Sequence, residues 1–196
     1  VYDYPYLSSS ANHIFDITAG YSGDSPLSAS TNEQNAKKIN IYSSMSKVLA
    51  GLDVTGNIRQ FDEDGDYAGG GPKMDACYFL NFARLLSKDE IKKGSFQLEL
   101  GVSSSLNVAG ASAGAAHNAV SYKKTVMQQR ILITDASGSN KFFTNSPAGE
   151  YGILYVTGVA TTHGGGVGPN IGNLKSSDAG VRCGLLYYQA GVAVIT

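Results

Sequence analysis

Apolar and polar residues alternate, or form short apolar runs, along most of this chain, and both patterns are typical of β-strands. The stretch FQLEL alternates most cleanly, with Phe96, Leu98 and Leu100 on one face and Gln97 and Glu99 on the other. It predicts a strand with one exposed face. The other segments with strand character are 13–21, 77–86, 120–135, 150–162 and 184–196.

Two of these segments carry more specific expectations. The segment 77–86 is nearly all apolar, which predicts a central strand buried on both faces. The segment 184–196 has small turn residues between two apolar runs. It predicts a hairpin that turns at Ala190 and Gly191.

One segment has helical spacing instead. Ser30 followed by Glu33 matches a capping box, in which each side chain satisfies a backbone N–H group of the other residue. Gly51 supplies a stop, because glycine adopts the left-handed conformation without penalty. We therefore predict one principal helix at about 31–50. Its apolar stripe consists of Ile41, Met45, Val48, Leu49 and Leu52.

These elements predict an α+β fold, mainly an antiparallel β sheet or sandwich of about five to seven strands with the helix packed on it. The 196 residues suffice for one core, so we expect 1–196 to form a single globular domain. The segments 103–119 and 163–173 consist almost entirely of small and polar residues, which predicts long flexible or partner-wrapped loops. Because no Met begins the sequence and an apolar run ends it, we expect a segment of a longer protein.

Charge and cysteine content narrow the function classes. The 15 Lys and Arg residues against 16 Asp and Glu residues leave no basic excess for nucleic acid. No run approaches the roughly 20 apolar residues of a membrane span. Cys77 and Cys183 lie far apart in apolar runs, which favours two buried free thiols and leaves a disulfide open.

The stretch FDEDGDYAGGGPK, residues 61–73, raises the question of a calcium loop. Counted from Asp62, the residues Asp64 and Asp66 match alternate ligand positions, but the sixth position holds a tyrosine and the twelfth a lysine. Asp64 and Gly65 form a strong turn dipeptide instead. The three aspartates are thus weak metal candidates, and a turn that offers an acidic face to a neighbour is favoured.

No motif of catalysis or cofactor binding is evident. The stretch GGGVGPNIG lacks the Gly-Lys pair of a phosphate-binding loop, and no Gly-x-Ser-x-Gly elbow occurs. His13, His117 and His163 lie in different segments. We therefore expect a protein without catalytic residues or a cofactor, not an enzyme.

The chain has 12 tyrosines, and several are clustered. Tyrosine is frequent at protein interfaces because it buries a large area and keeps a polar tip. Interface tyrosine and ordinary sheet-surface tyrosine both remain open here. The clustered residues are Tyr2, Tyr4, Tyr6, Tyr187 and Tyr188.

Several ordered words carry a family resemblance. YPYLSSSANHIFDITAGYS, NAKKINIYSSMSKVLAG, RQFDEDGD, FARLLSKDEIKKGSFQLELG, ILITDASGS, AGEYGILYVTG and GLLYYQAGVAVI resemble the large virion structural proteins of T-even-like contractile-tailed phages of marine bacteria. The resemblance implies a multi-copy component of the tail or baseplate region, assembled with other virion proteins in the host cytoplasm. A host-receptor or carbohydrate-binding β domain, and a hydrolase using Asp62 and Asp64, are the alternatives.

Overall fold

The computed structural model describes residues 1–3, 12–29, 33–67, 69–102, 129–135, 141–161 and 182–196. Within these residues the chain forms an antiparallel sheet of eight strands and one α-helix, so the predicted α+β class is confirmed. The segments 103–119 and 163–173, predicted as loops, lie outside the described residues.

The elements follow one another in chain order. Strands β1 (Tyr2–Asp3) and β2 (Asn12–His13) pair as a short ribbon. Helix α1 spans Asn35–Leu49, and 3-10 turns span Pro26–Ser28 and Ala83–Leu85. The large sheet comprises β3 (Asp16–Tyr21), β4 (Ala76–Asn81), β5 (Gln97–Val102), β6 (Gln129–Thr134), β7 (Phe143–Ser146), β8 (Gly149–Thr161), β9 (Arg182–Tyr187) and β10 (Val192–Ile195).

The strand order in the sheet is β3-β4-β10-β9-β8-β6-β5, and β7 pairs with β8. The 13 residues of β8 make it the longest strand. Near its start β8 pairs with β7 and β9, and near its end it pairs with β6. The β9–β10 hairpin turns at 188–191, which confirms the turn predicted at Ala190 and Gly191.

The predicted start of the helix is wrong. Helix α1 begins at Asn35, and its N-cap residue Gln34 makes no side-chain capping bond, while Ser30 lies outside the described residues. The segment before the helix is held instead by Asn35, whose amide donates to the backbone of Ser28 at 3.0 Å and whose carbonyl accepts from the Tyr21 hydroxyl at 2.6 Å. The stop is confirmed, because the helix ends at Leu49 and the left-handed Gly51 follows.

The predicted apolar stripe of the helix is partly wrong. The fully buried side chains of α1 are Tyr42, Ser46 and Leu49. Val48 and Leu52, which the stripe included, are 64% and 44% exposed. Leu52 lies beyond the end of the helix, in the turn that follows Gly51, whereas Val48 lies on a side of the helix that is not buried.

The prediction for 77–86 is also partly wrong. Strand β4 ends at Asn81, whose side chain accepts the backbone N–H of Ala83 at 2.9 Å and turns the chain into a 3-10 turn. The strand lies inside the sheet between β3 and β10, but Tyr78 on it is 58% exposed. One face of β4 is therefore uncovered at this position.

Apolar residues fill both faces of the sheet. On the face under α1, the core is rich in aromatic rings that pack edge-on or tilted. The opposite face is covered by the segment that follows β4, which contributes Phe82, Ile91 and Phe96. Residues of the first core include Tyr42, Phe61, Phe79, Tyr151 and Tyr187, and those of the second include Leu80, Leu154, Leu186, Tyr188 and Ile195.

Candidate functional site

The acidic stretch folds into a closed hairpin, which we call the acidic hairpin and define as residues 61–74. Its ends are joined by the backbone bond from Met74 N to Phe61 O at 2.9 Å, and Asp62 and Lys73 pair in the next register. The side chains of Phe61 and Met74 are buried in the core. The hairpin is therefore rooted in the fold and is not a loose connector.

Its three aspartates stabilise the turns of the hairpin itself. Asp62 Oδ1 accepts the N–H of Asp64 at 3.2 Å, and Asp64 Oδ1 accepts the N–H of Asp66 at 2.9 Å. Lys73 Nζ contacts Asp62 Oδ2. Asp62 is fully buried and Asp66 is exposed, so the acidic surface is smaller than the sequence suggests.

The two inner carboxyl groups differ in proton affinity. Burial raises the pKa of Asp62 more than its bond to Lys73 lowers it, and the hydrogen bond shared with Asp64 adds to the rise. Burial acts in the same direction on Asp64, but the N–H of Asp66 and the bond with Asp62 outweigh it and lower the pKa of Asp64. Asp62 therefore binds a proton more readily than Asp64 does.

The hairpin does not resemble a calcium cage. Within the described ranges, no group of three or more His, Cys, Asp or Glu residues is arranged to hold a metal ion. The lysine at the twelfth position, Lys73, places its ammonium where the calcium motif has a bidentate glutamate. The ammonium group of Lys73 contacts the buried carboxyl group of Asp62 instead.

Aromatic rings hold the acidic hairpin against the sheet. Tyr151 stacks between Phe143 and Tyr187, with ring centroids 5.2 Å away on each side. The Tyr151 hydroxyl donates to Gly65 O at 2.8 Å. The hydroxyl groups of Tyr67 and Tyr187 share a further hydrogen bond. The geometry of the hairpin is thus fixed by side chains far away in sequence.

The predicted interface tyrosines have different environments. Tyr2 is exposed, with its ring centroid 5.0 Å from that of His13. Tyr4 and Tyr6 lie outside the described residues. Tyr187 and Tyr188 are fully buried within the chain, so contact with a partner through their side chains would require the fold to open.

A second hairpin presents apolar residues to solvent. We call residues 51–59 the aliphatic turn. Its tip is held by Asp53, whose Oδ1 accepts from the backbone N–H groups of Thr55 at 2.8 Å and Asn57 at 2.9 Å. The backbone bond from Arg59 N to Gly51 O at 3.1 Å closes the base. The turn is therefore ordered by its own hydrogen bonds.

The aliphatic turn carries an exposed apolar cluster. Val54 at its tip is 100% exposed, and the facing residues Leu52 and Ile58 are 44% and 42% exposed. Val48, in the last turn of α1, is also exposed. Single exposed apolar residues are ordinary, but several on one ordered turn make it a candidate interaction surface. The sequence signal for this surface is a valine, Val54, inside the polar turn stretch DVTGN. The strand and helix patterns do not identify it.

A buried carboxylate organises the segment that covers the second core. Asp135 is fully buried and accepts the N–H groups of Gly94 at 2.7 Å and Phe96 at 2.8 Å. The Tyr188 hydroxyl has no partner of good hydrogen-bond geometry within the described chain; burial and then Asp135 raise its pKa. Sequence reasoning missed this arrangement, because an aspartate after a strand does not identify its distant partners.

The remaining candidate chemistry is structural. Cys77 and Cys183 are buried free thiols, as the favoured sequence interpretation predicted, and burial raises the pKa of each to about 12. His13 contacts Asp16 at 2.7 Å and Arg84 at 3.1 Å on the surface near β1. In the described part of the chain, no helix is long and apolar enough to span a membrane.

The geometry thus provides a Lys–Asp–Asp group around the buried Asp62 in the acidic hairpin and exposed apolar residues on the aliphatic turn. The exposed apolar residues can bury apolar area against another molecule. No protein-family model, no curated protein and no solved structure matches this chain.

Proposed function

We propose that this chain is a structural component of a tailed-phage virion, in the tail or baseplate region, and that it acts through protein–protein assembly. The observation that carries the proposal is the aliphatic turn, which holds Val54, Leu52 and Ile58 in solvent. The ordered words that resemble contractile-tailed phage structural proteins support the virion as the place of assembly.

The turn has the properties of an assembly contact. Burying one exposed aliphatic side chain contributes about 1.5–3 kcal/mol. The hydrogen bonds that Asp53 accepts fix the tip before contact, which lowers the entropy cost of association. An ordered apolar knob of this kind fits an apolar pocket on a neighbouring subunit.

The sheet edge at β3 is less suited to that role. Lys38 of α1 donates from Nζ to the Ala19 carbonyl of β3 at 3.0 Å. A lysine bound to an edge strand hinders the addition of a further strand. Strand addition at β3 is therefore disfavoured as the assembly contact.

Charge substitution at the tip of the turn tests the proposal. Val54→Asp is expected to weaken association with virion proteins of the encoding phage about 10- to 100-fold, the loss of one buried aliphatic side chain. Asp53→Ala is expected to weaken it less, because Val54 stays but the turn loosens. Co-sedimentation of the full chain with those proteins measures both effects.

The matched control is Leu85→Asp, the same change at an exposed aliphatic residue of the 3-10 turn after β4. Its association and the thermal unfolding of both aspartate variants, Val54→Asp and Leu85→Asp, should stay as in the parent chain. Unchanged association of Val54→Asp would exclude the turn as the contact. Binding of the isolated chain to host envelope material or glycans, unaffected by Val54→Asp, would favour the receptor-binding alternative.

A further inference from the structure

Lys73 and Asp62 face each other at the neck of the acidic hairpin. They are opposite residues of an antiparallel bridge, and Lys73 Nζ contacts Asp62 Oδ2. The Asp62 carboxyl group is fully buried, whereas the Lys73 side chain is partly exposed. An amine held against a desolvated carboxyl group has the placement that formation of a side-chain amide requires.

A second carboxyl group lies beside this pair. A Cβ atom at Gly71 would lie 3.1 Å from both Asp62 Oδ1 and Asp64 Oδ2, so the two carboxyl groups converge on one point. A larger residue there would press on both carboxyl groups. The pKa is raised at Asp62 and lowered at Asp64, so Asp64 is the carboxyl group of the two that ionises first and can act as a proton acceptor.

We propose that Lys73 and Asp62 condense to an intramolecular isopeptide bond, with Asp64 as the proton carrier. Asp64 takes one proton from the Lys73 ammonium, and the neutral Nζ attacks Asp62 Cγ. The Nζ–Cγ bond forms, and a second Nζ proton leaves to solvent on the exposed side. Asp64 then protonates the departing hydroxyl group, the Cγ–O bond breaks and one water molecule is released. The reaction needs no oxidant and no cofactor.

The bond would remove an unfavourable feature of the fold. A carboxyl group that is buried beside an ammonium group loses hydration, whereas an amide carries no charge. The cross-link would also close the acidic hairpin covalently at the strand pair that precedes its turns. This inference is independent of the proposed assembly role.

The chain contains an internal comparison. Lys93 lies 2.5 Å from Glu150 and 3.3 Å from Glu90, but both carboxylates are partly exposed to solvent. The hydrogen bond to Glu150 and the nearby Glu90 raise the pKa of Lys93, so its amine keeps the proton that blocks attack. Lys93 is expected to remain an ordinary ion pair.

Mass spectrometry of the purified full chain tests the proposal. The intact mass should be lower than the sequence mass by one water molecule. Trypsin cuts after unmodified Lys73 and releases residues 60–73. With Lys73 acylated, the expected product is 60–84, one water lighter, with fragment ions that join Asp62 to Lys73. Cleavage after Lys93 should remain normal.

Variants distinguish the Lys73–Asp62 isopeptide bond from other reactions that release one water molecule. Lys73→Arg and Asp64→Asn should show the full sequence mass, and Asp62→Asn should lose ammonia in place of water if it forms the bond. A succinimide at Asp64–Gly65 also loses one water, but it would persist in Lys73→Arg and allow cleavage after Lys73 in the parent chain. An intact mass equal to the sequence mass, together with normal cleavage after Lys73, overturns the proposal. A water loss that maps to Gly65 overturns it as well.

Discussion

At the scale of single residues, two carboxyl groups hold irregular segments of the backbone in place. Asp135 satisfies two backbone N–H groups of the segment before β5, and Asp53 satisfies two in the aliphatic turn. Each carboxyl group takes the place of the backbone carbonyl acceptors that an irregular segment lacks. The placement of both segments therefore depends on one side chain each.

Asp135→Ala tests this dependence. The substitution removes the acceptor of two partly buried hydrogen bonds, from Gly94 N and Phe96 N, and each unsatisfied buried group costs about 1–3 kcal/mol. We expect the free energy of unfolding to fall by about 2–4 kcal/mol. Urea unfolding measures it, with the exposed Asp89→Ala as the control that should stay within about 0.5 kcal/mol. Equal values for the two variants would contradict the role of Asp135.

At the scale of elements, the contact between α1 and β3 depends on the lack of a side chain. A Cβ atom at Gly20 would lie 2.8 Å from Tyr42 N and 3.0 Å from Lys38 O, both backbone atoms of α1. Backbone cannot move aside as a flexible side chain can. Gly20 therefore fixes how closely the helix approaches the sheet and which helix face is buried.

Gly20→Ala is expected to push α1 from β3 and to lower the free energy of unfolding by about 1–3 kcal/mol, the usual cost of overpacking. The matched control is Gly23→Ala, because a Cβ atom there meets nothing within 4 Å. Thermal or urea unfolding distinguishes them. A control as destabilised as Gly20→Ala would point to backbone entropy and not to the helix contact.

At the scale of the whole molecule, the cores on the two faces of the sheet are rich in ionisable but neutral groups. Their pKa values are raised, chiefly by burial, above the ordinary values of 10.0 for tyrosine and 9.0 for cysteine. Such groups keep their protons in the folded chain at pH values where the unfolded chain loses them. The groups are Tyr42, Tyr67, Tyr151, Tyr187, Tyr188, Cys77 and Cys183.

These cores predict pronounced alkaline unfolding. The contribution of these groups to stability is full below pH 9 and is lost as the pH rises past 9.0 and 10.0, because the folded state then binds more protons. Each group adds a slope of up to about 1.4 kcal/mol per pH unit. Urea unfolding from about pH 8 to pH 11 measures the slope. Tyrosinate absorbance from these residues while the chain stays folded would argue against it.

The local pattern of residues determined much of the secondary structure of this protein. The alternation in FQLEL, the turn at Ala190 and Gly191 and the stop at Gly51 gave correct elements, because strand period, turn chemistry and helix termination act over a few residues. The need to bury the apolar segments then indicated the α+β class. The acidic stretch was recognisable as a turn for the same local reason.

Tertiary structure alone decided the rest. The buried face of α1 was set by the approach to Gly20, and Val48 and Leu52 became exposed although they fit an apolar stripe. The pairing of Lys73 with a buried Asp62 and the ring stack over the acidic hairpin join residues distant in sequence. Such contacts depend on which surfaces meet once the sheet has formed, and no pattern along one segment contains that information.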